Sequence, residues 1–172
     1  ALIYSEVLQA LAADAATVAD LQPTFDLLAR IEADRQADPQ AIALQHGSES
    51  LSRAGLDRRV QGIAARLLAA GVQPGDPVGV SLRPGIAMVA AVLGILRAGA
   101  AYVPLDPDYP AARLAIAIAD TGIAHVMSDG SGALPAHVTC HPPEGEGTAP
   151  LPPHDPDRIA YVIFTSGSTG RP

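Results

Sequence analysis

Residues Thr165-Ser166-Gly167-Ser168-Thr169-Gly170 carry the residue types with the most direct chemical use in this chain. Two glycines let successive backbone N–H groups turn toward one point, and four hydroxyls add donors around it. That is the composition of a loop that holds phosphate. The competing reading is a flexible Ser/Gly linker. The apolar run directly before it, Ile159 to Phe164, reads as a buried strand, and linkers are seldom launched from buried strands. The loop is not a Walker A loop, because no Gly-Lys-Ser/Thr follows. A generic P-loop kinase is disfavoured for that reason, and because the loop follows most of the expected sheet instead of preceding it.

Other clusters are weaker. Asp106 and Asp108, in L-D-P-D-Y-P, have the form of paired carboxylates, but in a Pro-rich segment such residues usually form turns and cap helices. His137, Cys140 and His141 resemble a metal set, yet Pro135, Pro142 and Pro143 preclude a helix that would align them, and a fourth ligand is missing. His46, His125 and His154 are scattered and read as surface or strand-end histidines. Spacing alone gives no Ser-His-Asp arrangement. Arg53, Arg58, Arg59 and Arg66 read as the solvated side of one helix.

Several elements must position these groups. Residues 1–20 are Ala-rich and suggest a helix ending near Asp14, then a loop to Pro23. Thr24 has the type of an N-cap, with Phe25, Leu28, Ile31 and Arg35 following at helical spacing. A strand over Ala41–Leu44, a Gly47-Ser48 turn and a short extended piece at Glu49–Leu51 come next. Ser52 can cap a helix in which Leu56, Val60, Ile63 and Leu67 share one face, with Gly71 at its C′ position. Val78–Leu82 reads as a strand. Ile86–Ala98 is apolar nearly all round, hence a buried helix closed by Gly99. Ala101–Leu105 is extended, Asp106–Pro110 is a turn, Ala111–Asp120 is a helix ending at Gly122, and Ala124–Ser128 is a strand. Strands alternating with helices predict βαβ units and a parallel sheet. Residues 129–157 hold seven prolines and four glycines, so a long surface connection is expected, with an edge strand near Val138.

Composition sets the outer limits. At 172 residues, 48% hydrophobic and 17% charged, the chain can bury a sizeable core and is not of disordered type. Aromatics are only 3%, so the core must be Ala, Val, Leu and Ile. A formal charge of −7 argues against a nucleic-acid surface but leaves room for a nucleotide site, which needs only local donors. Cys140 stands alone, so no disulfide framework exists, and a cytoplasmic setting is expected. The longest apolar stretch, Ile86 to Leu96, is too short for a bilayer. No signal-peptide pattern is seen. The chain opens on Ala1, as the middle of a longer polypeptide would.

Three stretches together resemble a known family. I-A-Y-V-I-F-T-S-G-S-T-G-R-P, Ile159 to Pro172, resembles the phosphate-loop core motif of the acyl-adenylating superfamily. L-R-A-G-A-A-Y-V-P-L-D-P-D-Y-P-A-A-R-L, Leu96 to Leu114, closely resembles the second core motif of adenylation domains in nonribosomal peptide synthetases. Leu51 through Leu56 resembles the first core motif loosely, with Arg53 and Gly55 where a Tyr and a Glu are common. The order and spacing match over residues 24–172, and the second motif favours the peptide-synthetase branch over acyl-CoA ligases and luciferases. Residues 1–23 resemble the end of an upstream condensation domain or its linker.

The resemblance implies an α/β fold: a layered αβα, mostly parallel sheet with flanking helices, forming an incomplete N-terminal subdomain. It implies ATP-dependent activation of an amino acid to the aminoacyl-adenylate, then transfer to the phosphopantetheine thiol of a carrier domain. Thr165, Ser166, Gly167, Ser168, Thr169 and Gly170 would bind the nucleotide phosphates. The adenine and ribose contacts, the specificity pocket, the Mg²⁺ carboxylate and the catalytic Lys would lie beyond Pro172, so no catalytic residue is expected in this chain and the piece alone is expected to be inactive. Implied partners are the amino acid, a peptidyl carrier domain, an upstream condensation domain and, in some systems, an MbtH-like protein. The contrasting reading is a truncated, non-catalytic adenylation remnant serving as a structural or docking module.

Overall fold

A computed structural model describes residues 27–145, 147–153, 155 and 157–164. Its elements are α1 (Leu27–Ala37), β1 (Ile42–His46), β2 (Glu49–Ser52), α2 (Arg53–Ala69), β3 (Pro77–Ser81), α3 (Ile86–Arg97), β4 (Ala101–Pro104), α4 (Ala111–Thr121), β5 (His125–Ser128) and β6 (Thr139–His141). The helix expected before Asp14 and the Thr24 cap lie outside the described residues.

β1 and β2 form an antiparallel hairpin turned at Gly47, whose φ of 59° suits glycine. β4, β3, β5 and β6 form a second sheet in that order, parallel throughout. β3 sits inside it, and its last four residues are buried. The strand faces divide the core. Val78 and Val80 of β3 and Met127 of β5 join Leu56, Val60, Ile63 and Leu67 of α2 and Ala90, Ala91 and Ile95 of α3. Val103 of β4 and Val126 of β5 face the other way and pack with Leu114 and Ile118 of α4. The layered αβα arrangement with a parallel sheet is therefore present, and the face read from the α2 sequence is the buried one.

Small residues set the closest approaches. A Cβ at Gly79 would sit 2.7 Å from Leu105 Cδ1 and 3.0 Å from Val126 Cγ2, so β3 has room for glycine alone on its α4 side. Gly94 of α3 meets Ile63 of α2 in the same way: an added methyl would fall inside van der Waals contact of its branched carbon. Helix ends follow ordinary capping rules. Ser52 Oγ accepts from Gly55 N at 3.2 Å and starts α2. Gly122, at φ 70°, closes α4.

Two expectations need correction. The run Ile159–Phe164 is not a buried strand. It lies against the outer edge of β4, where Tyr102 N donates to Ala160 O and Val162 N to Tyr102 O, each at 3.0 Å. Among the described residues no second strand pairs with it, and Ile159 is 68% exposed. Its apolar character says that it belongs in a sheet, but not that the sheet continues past it. The arginines of α2 are also not simply a solvated face. Arg53 Nη1 donates to Asp34 O at 2.8 Å and Arg66 Nη1 to Pro142 O at 3.2 Å, tying α2 to its neighbours.

Two outcomes follow from this packing. Gly94→Ala gains about 1 kcal/mol of helix propensity but forces Ile63 aside at about 1–3 kcal/mol, so urea unfolding should show a net loss of stability. Unchanged or raised stability would contradict the close approach of α2 and α3. Ser52→Ala should cost about 1 kcal/mol, and Ser52→Asp should retain most of it.

Candidate functional site

In a parallel sheet, ligands bind outside the carboxyl ends of the strands, where the strand order reverses. Here the chain places β4 on one side of β3 and then β5 on the other, so the reversal occurs at β3. The loops at that end are residues 82–85, 105–110 and 129–132, and the segment 160–162 beside β4 runs parallel to it toward the same end.

These loops are fastened to one another. Asp108 accepts a bidentate pair of bonds from Arg83, 2.8 and 2.7 Å, linking the loop after β3 to the loop after β4. Both side chains are 63% exposed, so the pair positions loops more than it stabilises them. Asp106 Oδ1 accepts from Asp108 N at 2.9 Å, and Asp106 O accepts from Tyr109 N at 3.0 Å. The two carboxylates are thus turn and clamp groups, not a catalytic pair. Arg113 then lies over the Tyr109 ring at 4.0 Å as α4 begins.

The loop after β5 closes on itself. Ser128 Oγ accepts from Gly130 N at 3.1 Å, and Asp129 Oδ1 accepts from Ser131 N at 2.9 Å. Hydrogen bonding from Ser131, with Arg83 adding a smaller effect, holds the Asp129 carboxyl below its ordinary range. Burial opposes them. Ser81, at the end of β3, is fully buried, and its hydroxyl has no hydrogen-bond partner among the described residues.

The lead into the expected phosphate loop is anchored by its backbone and by Tyr161, whose ring meets that of Tyr102 at a centroid distance of 5.8 Å. Thr165, Ser166, Gly167, Ser168, Thr169 and Gly170 themselves lie outside the described residues. So does His154. Of the remaining polar candidates, His141 pairs with His125, at 3.0 Å between ring nitrogens, and not with His137 or the exposed Cys140. No sequence motif flags that contact. Among the described residues no group of three His, Cys, Asp or Glu side chains could hold a metal ion, and no helix is long and apolar enough to cross a membrane.

Comparison with known proteins agrees with the motifs. The sequence pattern of the family described as AMP-binding enzyme matches residues 31–172. The AMB antimetabolite synthetase AmbB of Pseudomonas aeruginosa is 41% identical over 150 residues, covering 82% of this chain and 12% of that protein. Tyrocidine synthase 3 of Brevibacillus parabrevis is 35% identical over 163 residues, covering 89% of this chain and 2% of that protein. The chain thus spans only a small part of the curated relatives it matches. Among solved structures, the nonribosomal peptide synthetase FmoA3 in its AMPPNP-bound form superposes with a TM-score of 0.77 at 37% identity, over 84% of this chain and 16% of that one. O-succinylbenzoate coenzyme A synthetase MenE from Bacillus subtilis, in complex with AMP, shares the fold at a TM-score of 0.71 and 23% identity, over 81% of this chain and 39% of that one. The chain belongs to the AMP-binding enzyme family, and its sequence and fold are those of part of an adenylation domain of the nonribosomal peptide synthetase kind.

Proposed function

We propose that this chain supplies the phosphate-binding portion of an adenylation domain that activates an amino acid with ATP. The observation that carries the proposal is the strand lead at 160–162. It pairs in parallel with β4, so at residues 160–162 the chain heads toward the carboxyl end of the sheet, where nucleotides bind in folds of this type. In the reaction, a carboxylate oxygen attacks the α-phosphorus, the bond to the bridging oxygen breaks, and pyrophosphate leaves. Charge accumulates on the departing β- and γ-phosphates. The backbone N–H groups of Gly167 and Gly170 and the hydroxyls of Thr165, Ser166, Ser168 and Thr169 are suited to hold it.

The ligands of the solved relatives support nucleotide use: FmoA3 carries AMPPNP and MenE carries AMP. Transfer of the aminoacyl group to the phosphopantetheine thiol of a carrier domain belongs to the same reading, as do an upstream condensation domain before residue 24 and an MbtH-like partner. Mg²⁺ would accompany ATP as its counter-ion.

Amino-acid-dependent ATP–pyrophosphate exchange by the full-length polypeptide carrying this chain tests the proposal. Ser166→Ala or Thr169→Ala removes a hydrogen bond to a charged group, about 1.5–3 kcal/mol, and should raise the KM for ATP roughly tenfold to a hundredfold. The KM for the amino acid should move far less. Equal losses for both substrates would show that the loop serves folding instead. The 172-residue piece by itself should show no exchange, and a signal from it would contradict the division of the site proposed here.

A further inference from the structure

The last two strands of the sheet, β5 and β6, are joined by a histidine pair, His125 and His141. Parallel register sets Met127 of β5 opposite His141 of β6, and alternate residues of a strand share a face. His125, Met127 and His141 therefore all face α2. His125 Nδ1 and His141 Nε2 are 3.0 Å apart, the ring centroids are 5.3 Å apart and the planes are tilted by 32°. The centroid gap exceeds the nitrogen gap by about the two ring radii together, so each nitrogen points nearly straight at the other. Lone pairs sharing a zinc-like cation would instead converge on a third point about 2.0–2.1 Å from each nitrogen. The head-on arrangement is an N–H···N hydrogen bond, with one ring donating and the other accepting. His141 is only 6% exposed.

β6 has three residues and, among the described residues, lies at the sheet edge and pairs with β5 alone. The segment after it crosses α2. Arg66 donates to Pro142 O at 3.2 Å, and Gly145 lies so close to the backbone of Gly62 and Ile63 that no Cβ fits there. The charged and titratable surroundings are few. α2 contributes Arg66 and, two turns earlier, Arg59. The crossing segment contributes the exposed Glu144, which lines one groove with both arginines. On β6, Cys140 faces away. β5 has no further titratable side chain, and His137 precedes β6.

We propose that the His125–His141 pair is a pH-sensitive latch that fastens β6 and the segment crossing α2 to the body of the domain. With both rings neutral the hydrogen bond holds. A first proton leaves an N–H···N bond in place but adds a charge beside Arg66. A second removes the last lone pair and sets two cations head-on. β6 and the crossing segment then release as a local unit, and the rest of the sheet stays folded. Burial, then His125 and then Arg66 already hold the His141 imidazole below the usual histidine range. The folded His141 thus binds fewer protons than the released one. Its contribution is complete above the unfolded value of about 6.5 and is lost as pH falls below it. The latch does not depend on the nucleotide reading.

Hydrogen–deuterium exchange on the full-length polypeptide carrying this chain tests it, followed from pH 8 to pH 5 and corrected for intrinsic rates. Protection of residues 139–145 should fall roughly severalfold, while β3 and α3 keep theirs. In His125→Gln the amide oxygen still accepts from a protonated His141, while burial and Arg66 remain, so the fall should be clearly smaller than in the wild type. His141→Phe, which fills the site without titrating, should lack it. Protection that stays constant in the wild type would overturn the latch, as would a loss shared equally by β3 and α3. If His141→Phe does not fold, His125→Gln decides alone: a wild-type profile in that variant contradicts the proposal.

Discussion

The parallel pairing around β3 is the constraint on which the rest of the structure depends. β3 has two strand neighbours and a helical layer over each face, so added volume at its buried positions must displace packed neighbours. Gly79 shows this most plainly, since its missing side chain is the space that Leu105 and Val126 occupy. With β3 fixed, β4 is fixed beside it. β4 in turn presents the free edge on which Ala160 and Val162 find their backbone partners through Tyr102. The direction in which the chain enters the expected phosphate loop is thus inherited from the sheet and not determined by the loop.

The second core motif gains a physical meaning in the same frame. Leu96 to Leu114 contains the end of α3, all of β4, the turn held by Asp106 and Asp108, and the start of α4. Gly99 ends α3 at φ 79°, with Pro74 beside it, where a side chain would be strained and crowded. Leu105 fills the space left by Gly79, and Asp108 reaches back to Arg83. The motif is the hinge between both core layers and the carboxyl end of the sheet. A segment with that many geometric duties leaves little room for catalysis by its carboxylates.

Much of this was legible from local sequence. The α2 face, the Ser52 cap, the hairpin turn at Gly47 and the ends at Gly71, Gly99 and Gly122 each follow from a pattern spanning one or two turns of chain. What was not legible depends on contacts between distant residues. The Ile159–Phe164 run has the composition of a core strand, but composition does not say how many neighbours a strand acquires, and here it has one among the described residues. Arg53 and Arg66 carry their charge at polar helix positions, yet carbonyls of Asp34 and Pro142 claim both. His125 and His141 meet only because β5 and β6 pair in a particular register. Residues 165–170 offer a phosphate loop only as a set of residue types, and the parallel pairing of residues 160–162 with β4 supports that reading.

The most direct measurement is a crystal structure of the full-length polypeptide carrying this chain with a nonhydrolysable ATP analogue. The account predicts the β- and γ-phosphates within hydrogen-bond distance of backbone N–H groups among residues 166–170, beyond the carboxyl end of β4. A nucleotide seated elsewhere, with residues 165–170 making no phosphate contact, would contradict it.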